Sequence, residues 1–346
     1  MAKSMNKPFT VIISRTDSLG DVMLTLPLAG IIKKFIPGSR IVFLGKEYTK
    51  DLVTCCGNID EFLSLEELRK LKTKERPLRL KSLNANAILH VFPDKELAAM
   101  AKEAGIPIRV GTSHRIYHFL TCNHLINFSR RKSDLHESQL NLKLLSGIGI
   151  EQELSTREIN AFSALTEVHS KKYPASNLPT RDKFNLIIHP RSKGSAREWG
   201  LDNFTKLIQL LPTETYKIFI TGTLQEGESM KAFIESNPSV VNLCGKLSLK
   251  EFIALIDSCQ GLVAASTGPL HIASALGKKA IGIYAPMHPI DPGRWAPIGE
   301  QAEYLVKQVD CSDCRKSMDC HCIREIKPET VYDIIRLAQS KASGRV

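Results

Sequence analysis

The sequence lacks the features that would place the chain in a membrane or send it across one. No apolar run reaches the roughly 20 residues that a transmembrane helix needs. Residues 1–8 are polar and lead directly into the apolar segment Phe9–Ile13, without the h-region and small-residue cleavage site of a secretory signal. These absences predict a protein that stays in the cytoplasm.

The usual signatures of nucleic-acid and dinucleotide binding are missing too. No RNP, zinc-finger or basic-zipper pattern is present, which makes nucleic acid a minor option as a partner. The fingerprint G-x-G-x-x-G is absent from the loop after the first strand. The net charge of +11, from 47 Lys and Arg against 36 Asp and Glu, still indicates an anionic partner: a nucleotide, a nucleic acid or an anionic lipid.

The sequence does contain two stretches in which strands and helices alternate. The length of 346 residues predicts two domains, and 43% hydrophobic with 24% charged residues is typical of a soluble globular protein. Buried strands begin at Phe9–Ser14, and the alternation restarts at Phe184–His189 after an aperiodic stretch that contains Pro174 and Pro179. The pattern predicts doubly wound α/β domains.

One stretch of the second half has the composition of a phosphate site. The apolar run Gly261–Ala265 leads into Ser266–His271, and a helical pattern follows as far as Gly277. Ser266 or Thr267 can cap that helix, and a proline fits its first turn. Free N–H groups at the helix start would then face a bound anion. The alternative is an ordinary capped helix.

Two further features of the second half suit the same kind of ligand. The loop after the strand Phe184–His189 carries three cations, two hydroxyls and two glycines over 189–200, which favours phosphate over a merely solvated basic loop. Glu226 and Glu228 begin the helix after the strand Tyr216–Ile220. A carboxylate there can bind ribose or sugar hydroxyls, or can simply be a favourable first-turn charge.

The first half offers an acid at the mouth of its sheet. The loop after the strand Phe9–Ser14 contains Asp17 and Asp21, and a single helix is predicted from Val22 to Phe35. Asp21 is either a first-turn acid or a base at a ligand site, whereas Asp17 is the more ordinary turn residue. Further on, residues 114–136 interleave basic and aromatic side chains. They form either a solvated face or a platform for an anionic, partly apolar acceptor.

Four motifs are spread over nearly the whole length of the chain. They are Ser14-Arg15-Thr16-Asp17-Ser18-Leu19-Gly20-Asp21 with Val22 and Leu26-Pro27; His189 through Arg197-Glu198-Trp199; Gly222 with Glu226; and Thr267-Gly268-Pro269-Leu270-His271 with Tyr284-Ala285-Pro286. Each alone is weak, but their order and spacing together are specific. Together they resemble the motifs of glycosyltransferase family 9, the bacterial lipopolysaccharide heptosyltransferases and their relatives.

The resemblance implies a GT-B fold: two facing, doubly wound α/β domains of Rossmann type with a cleft between them. The aperiodic stretch places a linker over 166–183, and the resemblance then implies an acceptor-binding domain over 1–165, a nucleotide-sugar-binding domain over 184–327, and a final helix and tail over 328–346. The implied reaction is an inverting transfer of a sugar, heptose by analogy, from an ADP-sugar to a lipopolysaccharide core or a related lipid-linked saccharide. No cofactor and no essential metal are implied. The inner membrane surface is a further expected partner, with peripheral attachment of a cytoplasmic enzyme.

The same resemblance implies roles for individual residues. Asp21 is the general base that takes the proton of the acceptor hydroxyl. For the acceptor, contacts are predicted from Ser18, Gly20, His114 and Arg115. For the donor, contacts are predicted from His189, Arg191, Ser192, Lys193, Arg197, Glu226, Ser266, Thr267, Gly268, Pro269, Leu270 and His271.

Two positions depart from the family pattern. Arg197 stands where the family has a diphosphate-binding lysine, which keeps the charge and adds a bidentate donor. Ser266 stands where several heptosyltransferases have an Asp beside the sugar. The sugar of the donor can therefore be the heptose that the family uses, a different heptose or a hexose. Two other functions are considered: a nucleotide-sugar epimerase or hydrolase of the same fold, and a non-catalytic nucleotide- or nucleic-acid-binding protein.

Four cysteines close to the end of the chain raise the question of a metal. Cys311, Cys314, Cys320 and Cys322 supply enough thiolates for zinc, but the last pair is too close for the usual C-x2–4-C knuckle. We therefore predict no metal, with zinc at these four cysteines as the alternative.

Overall fold

The structure is a computed structural model that describes residues 7–168, 179–309, 311, 319–342 and 344. The chain forms two compact units, residues 1–167 and 168–346. Part of the predicted linker, residues 169–178, lies outside the described residues.

The N-terminal unit is built on a parallel sheet of six strands. Its order is β3-β2-β1-β4-β5-β6. All five residues of the first strand are buried, as expected for a central strand covered on both faces. The strands are β1 Thr10–Ser14, β2 Arg40–Gly45, β3 Glu61–Ser64, β4 Ala87–His90, β5 Ile108–Thr112 and β6 His124–Ile126.

Helices connect these strands, and 3-10 turns occupy Glu47–Thr49 and Lys143–Ile148. One face of the sheet packs on α4 to α6 through side chains such as Val42, Leu68 and Leu97. The helices are α1 Leu19–Met23, α2 Pro27–Phe35, α3 Lys50–Thr54, α4 Leu65–Lys70, α5 Glu75–Ser82, α6 Lys95–Glu103, α7 His118–Thr121, α8 Glu137–Leu142 and α9 Thr156–Asn160.

The C-terminal unit repeats this plan. Its parallel sheet has the order β12-β11-β10-β7-β8-β9. The strands are β7 Phe184–His189, β8 Tyr216–Ile220, β9 Val241–Asn242, β10 Gly261–Ala265, β11 Lys279–Tyr284 and β12 Ala302–Val306. The helices are α10 Leu201–Gln209, α11 Leu224–Ser229, α12 Lys231–Glu235, α13 Leu249–Ser258, α14 Gly268–Ala275, α15 Pro292–Trp295, α16 His321–Arg324 and α17 Pro328–Ala342.

The strand order decides where ligands can bind. Counted within each unit, both sheets have the order 3-2-1-4-5-6, in which the connections reverse direction between the first and fourth strands. Open α/β sheets bind ligands outside the carboxyl ends of the strands at this switch point. The switch points are β1 with β4, where Ser14 pairs with His90, and β7 with β10, where His189 pairs with Ala264.

The helix predicted from Val22 to Phe35 is divided in two. The first helix, α1, ends at Met23, and the second begins at Pro27. Proline has no N–H to donate to the preceding turn, so it starts a helix more readily than it continues one. The break keeps α1 short and puts its first turn beside the end of β1.

Candidate functional site

In the N-terminal unit, the candidate base follows the central strand directly. Asp21 lies in the first turn of α1, as predicted, and 16% of its side chain is exposed. One of its carboxylate oxygens accepts a hydrogen bond from Arg15, and the other accepts one from the Ser18 hydroxyl. A carboxylate has about four lone-pair sites, so each oxygen can accept one further bond. Asp21 is therefore both held in place and open to a ligand hydroxyl.

Arg15 organises the acids around this site. Its side chain is only 3% exposed. Its Nε atom donates to Asp17 Oδ1 at 2.7 Å, and its Nη1 atom donates to Glu137 Oε1 at 2.9 Å and Asn141 Oδ1 at 3.2 Å. Together with the bond from Nη2 to Asp21, the three guanidinium nitrogens thus donate to four different side chains.

The buried Glu137 completes the network from a distant part of the chain. It lies in the first turn of α8 and its side chain is 1% exposed. Its Oε1 atom also accepts a hydrogen bond from Arg130 Nε at 3.0 Å. A second contact of Arg130, from Nη2 to Asn141 Oδ1, is 2.9 Å long. Two guanidinium groups therefore compensate a carboxylate that could not be buried alone.

The pKa values of two groups in the network are shifted. Burial opposes the charge of Arg15, but the carboxylates of Asp21, Asp17 and Glu137 together raise its pKa further above the ordinary value. Burial raises the pKa of Asp17 to about 6, against the lowering by Arg15 and with a further contribution from Asp21. Burial therefore outweighs the ion pair with Arg15 in its effect on the pKa of Asp17.

The predicted acceptor residues lie at two places on the same sheet edge. Ser18 and Gly20 belong to the loop and helix after β1, and Ser18 bonds directly to Asp21. His114 and Arg115 are exposed in the turn after β5. Only β4 separates β5 from β1, which places the two strand ends roughly 10 Å apart. No hydrogen bond or ion pair within the described ranges joins the two groups.

In the C-terminal unit, the predicted donor residues gather at the switch point. His189, the last residue of β7, forms a hydrogen bond of 2.9 Å from Nδ1 to Thr221 Oγ1, and its ring stacks on Phe252 with centroids 5.9 Å apart. Burial lowers the pKa of His189 to about 4; Glu226 opposes this shift and Lys193 adds to it. The imidazole is therefore neutral at physiological pH. The hydrogen bond from His189 to Thr221 brings the end of β7 beside the segment that leads from β8 into α11.

The loop after β7 is a tight turn with a cation at its tip. Lys193 and Gly194 both have positive φ, +50° and +78°, and the Ser195 N–H donates to the Ser192 carbonyl at 3.0 Å. The turn is braced by Glu198, whose carboxylate accepts from the Ser192 N–H at 3.0 Å and pairs with Arg191 at 2.8 Å. Lys193 is exposed and forms no ion pair with any residue that the structure describes.

The C-terminal end of the same loop is anchored in the core. Trp199 is 1% exposed, and its Nε1 atom donates to the Ile326 carbonyl at 2.8 Å. The ring of Trp199 packs edge-on against Phe204 of α10, with centroids 4.9 Å apart. These contacts fix the position of the preceding residues, including Arg197, which is partly exposed.

Glu226 uses only one of its oxygens for the fold. Its Oε2 atom accepts from the Thr223 N–H at 2.7 Å and from the Thr223 hydroxyl at 2.9 Å, which forms a capping box at the start of α11. Burial opposes its ionisation, but the Thr223 bonds together with His189 and Lys193 lower its pKa. In the described part of the chain Oε1 accepts no hydrogen bond, so an anionic oxygen remains available for ligand hydroxyls.

Helix α14 begins where the sequence predicts, but its cap differs. Thr267 is the N-cap residue, although its side chain makes no capping bond, and its buried Oγ1 atom has no partner among the described residues. Pro269 lies in the first turn, as expected. The Ser266 hydroxyl is bonded to Tyr284, whose pKa is raised by burial.

Not every residue predicted at this stretch can present a side chain to a ligand. Leu270 is fully buried and Pro269 is buried beside it, so both pack in the core. The Leu270 N–H already donates to the Thr267 carbonyl at 3.2 Å. The positive end of the α14 dipole and the N–H of Gly268 are what this stretch can offer to an anion. Together with Lys193 and Arg197, they make the carboxyl edge of this sheet suited to a diphosphate.

Comparison with known proteins identifies the family of the chain. The family described as Glycosyltransferase family 9 (heptosyltransferase) matches residues 79–322, more than half of the chain. The chain belongs to glycosyltransferase family 9. The predicted resemblance is confirmed, and so is the prediction that the protein is a glycosyltransferase.

Individual family members differ in how much of the chain they match. A putative glycosyltransferase of Haemophilus influenzae is 25% identical over 85% of this chain and 88% of its own length. Lipooligosaccharide heptosyltransferase 2 of the same organism is 32% identical over 28% of this chain and 29% of its own length. The structure of the E. coli heptosyltransferase WaaC with ADP matches with a TM-score of 0.72 at 18% identity, covering 95% of this chain and 99% of that one. The shared fold confirms the predicted α/β fold of GT-B type.

Within this family 9 protein, the network around Arg15 is the part of the site that sequence reasoning missed. The motif contains Arg15, but nothing in the local pattern assigns it a role. Glu137 lies 122 residues further along the chain, so no spacing rule connects the two. An acid directly after His136, in a stretch where basic residues outnumber acids, is the one sequence signal that could have drawn attention to it.

The cysteine hypothesis is only partly covered by the structure. Cys314 lies outside the described residues, while Cys320 and Cys322 are buried in the core of the C-terminal unit. Within the described ranges, no group of three or more His, Cys, Asp or Glu side chains could hold a metal ion. Zinc at the four cysteines therefore stays a hypothesis.

The helices in the same ranges include none with the length and apolar character to cross a bilayer.

Proposed function

We propose that this family 9 glycosyltransferase moves heptose from an ADP-sugar to a saccharide of the lipopolysaccharide core or a related lipid-linked acceptor, at the cytoplasmic face of the inner membrane. The N-terminal unit binds the acceptor and the C-terminal unit binds the donor. The observation that carries the proposal is the Asp21 carboxylate, held by Arg15 and Ser18 with its remaining lone pairs open to a ligand.

The chemistry assigned to Asp21 is general base catalysis. Its carboxylate accepts the proton of an acceptor hydroxyl as that oxygen attacks the anomeric carbon of the donor. The bond from the anomeric carbon to the diphosphate oxygen breaks as the new glycosidic bond forms, with inversion. Asp21 needs a fixed position for this role, because a proton can be transferred only over hydrogen-bond distance. The Arg15 network supplies that position.

The leaving diphosphate receives its stabilisation from the C-terminal unit. Lys193 at the loop tip and Arg197 provide positive charge, and the N-terminus of α14 provides N–H groups and a favourable dipole. These groups compensate the negative charge that develops on the diphosphate as the bond between its oxygen and the anomeric carbon of the donor sugar breaks. The Oε1 atom of Glu226 takes a hydroxyl of the donor, and the neutral His189 beside it adds an uncharged hydrogen-bonding group.

Replacing Asp21 tests the proposal, with Asp17 as a matched control. Both acids belong to the same loop and bond to Arg15. We expect Asp21→Asn to lower kcat for transfer by about 10²- to 10⁴-fold, as for loss of a general base. The affinity for ADP should stay unchanged, and Asp17→Asn should lower kcat far less. An Asp21→Asn enzyme with full transfer activity would contradict the role of Asp21 as general base.

The donor itself is identified by a binding screen. ADP-, GDP- and UDP-sugars are compared for the rise in Tm of the full chain, since a ligand that binds only the folded state stabilises it. We expect the ADP-sugars to give the largest rise. If none of the nucleotide sugars raises Tm, the proposed donor site is wrong.

A further inference from the structure

The segment after β5 exposes three large apolar side chains within five residues. Ile116 is 88% exposed, Leu120 is 73% exposed and Phe119 is 61% exposed. Single exposed apolar side chains are common on soluble proteins and need no explanation. Three large ones within five residues are more than scattered single exposures, and such clusters are typical of a site that contacts a membrane or another molecule.

This exposure is a fixed property of the fold. His118, between the exposed residues, is buried, and its Nδ1 atom lies 2.9 Å from the Thr112 carbonyl oxygen. At the far end of α7, Arg109 Nε donates to the Thr121 carbonyl at 2.7 Å. The anchoring of the backbone at both ends keeps the apolar side chains on the outside, where they cannot fold back on the core.

The chain segment that contains the apolar side chains has more cations than acids. Residues 95–132 contain seven Lys and Arg but only two acidic residues, Glu96 and Glu103. One of those acids, Glu96, is already paired with two arginines of α4 and α5. The exposed Lys102 ammonium group donates to the Leu120 carbonyl at 2.9 Å, so a cation lies beside the last of the apolar residues. Arg115 is exposed and has no ion pair within the described part of the chain.

We infer that Lys102, Arg115, Ile116, Phe119 and Leu120 form a surface, the α7 surface, that docks onto a bilayer of anionic phospholipid. The apolar side chains enter the boundary between headgroups and acyl chains, and the cations bind lipid phosphates. The inference rests on the proposed function, because an enzyme for a lipid-linked acceptor has to meet its substrate at a membrane.

The charge favours a bilayer over a second copy of this chain. In a symmetric dimer built on the α7 surface, the same cations would face each other, because both subunits present the same patch. Like charges brought together in an interface cost free energy, whereas lipid phosphates neutralise them. The position of the surface fits the same partner, since the turn after β5 lies on the carboxyl edge that also carries Asp21.

Vesicle binding of the full chain, without donor or acceptor, tests the inference. The chain is mixed with phosphatidylcholine vesicles that contain or lack phosphatidylglycerol, and bound protein is separated by flotation. We expect binding only to the anionic vesicles. The double variant Ile116→Ser, Leu120→Ser should bind at least about tenfold more weakly. The matched control is Leu78→Ser, Leu224→Ser, at side chains that are 62% and 66% exposed elsewhere, and it should bind like the wild type.

A second readout keeps the result clear if the double variant folds poorly. In Ile116→Trp, the added indole should shift its emission to shorter wavelength with anionic vesicles, whereas Leu78→Trp should show no shift. Equal loss of binding in both double variants, or no shift for Ile116→Trp, would overturn the inference. So would a wild-type dimer that dissociates in the Ile116→Ser, Leu120→Ser variant during sedimentation.

Failure of docking and failure of the proposed function are distinguishable. Transfer to a water-soluble acceptor saccharide without its lipid measures catalysis alone, and the Ile116→Ser, Leu120→Ser variant should retain wild-type kcat in that assay. An absence of transfer by the wild type would contradict the proposed function, whatever the vesicles show.

Discussion

Mild acid should lower the stability of the N-terminal unit through the protonation of one buried histidine. His90 ends β4 and is 1% exposed, and neither of its ring nitrogens has a hydrogen-bond partner among the described residues. Burial lowers its pKa to about 3, with further lowering by His118 and Arg109. Because the folded pKa lies below the unfolded value of about 6.5, stability is present above that value and is lost as the pH falls toward the folded pKa.

The size of the loss follows from the two pKa values. By linkage, lowering the pH from about 7.5 to about 5 costs about 2 kcal/mol through His90 alone. Asp17 acts in the opposite direction, because its pKa is raised to about 6 and its ionisation in the folded state is unfavourable. Protonation of Asp17 returns about 1 kcal/mol over the same range. Asp17 is unchanged in a His90 variant, so the difference between variant and wild type isolates the histidine.

The variant His90→Leu removes the titrating ring and both unpartnered nitrogens. Both tryptophans of the chain, Trp199 and Trp295, lie in the C-terminal unit, so their fluorescence does not follow this unit. Hydrogen exchange of peptides that cover β4 and β5 does. We expect His90→Leu to exceed the wild type by about 2 kcal/mol in opening free energy at about pH 5, and to differ less near pH 7.5.

The exposed His124 at the start of β6 provides the control. In the variant His124→Gln the loss of protection in acid should match that of the wild type. The reasoning is refuted if His90→Leu loses as much protection between the two pH values as the wild type, because the histidine charge would then not be what destabilises the unit.

Two further predictions concern the site itself. Glu137→Gln should lower the stability of the N-terminal unit by about 3 kcal/mol, because Arg15 and Arg130 lose their buried countercharge. The same variant should lower kcat with little change in the KM for the nucleotide sugar; urea unfolding and steady-state kinetics check both, and unchanged stability would contradict the network. Arg197→Ala should raise the KM for the nucleotide sugar by about tenfold or more, since charged hydrogen bonds to phosphate are lost. A KM equal to that of the wild type would exclude Arg197 from diphosphate binding.

Much of the fold can be predicted from the sequence because the central strands are uniform in character. β1 and β10 are buried along their whole length, and a continuous apolar run is what such strands require. The edge strand β3 was not predicted, and its residues Glu61–Ser64 are only half buried. An edge strand has one neighbour and one solvated side, so its sequence carries a weaker signal.

The candidate site was predictable where its residues lie close in sequence. The capping box of Thr223 and Glu226 has a spacing of three residues, and the loop after β7 places its cations within seven residues. The side-chain directions within the motif around Gly268 were not predictable. Leu270 packs in the core, where its side chain fills the space beside the Cα of Gly282.

Motifs and apolar periodicity are local properties of the chain, so they were enough to predict the family and the two α/β units and to single out Asp21 as the candidate base. How Asp21 is held depends on the fold, since Arg15 meets Glu137 across 122 residues of chain. The α7 surface was also decided by the fold. The interleaved aromatic and basic residues after β5 were equally compatible with a solvated face and with a platform for the acceptor. The burial of His118 fixed which side chains face the core, and so left Ile116, Phe119 and Leu120 in the solvent.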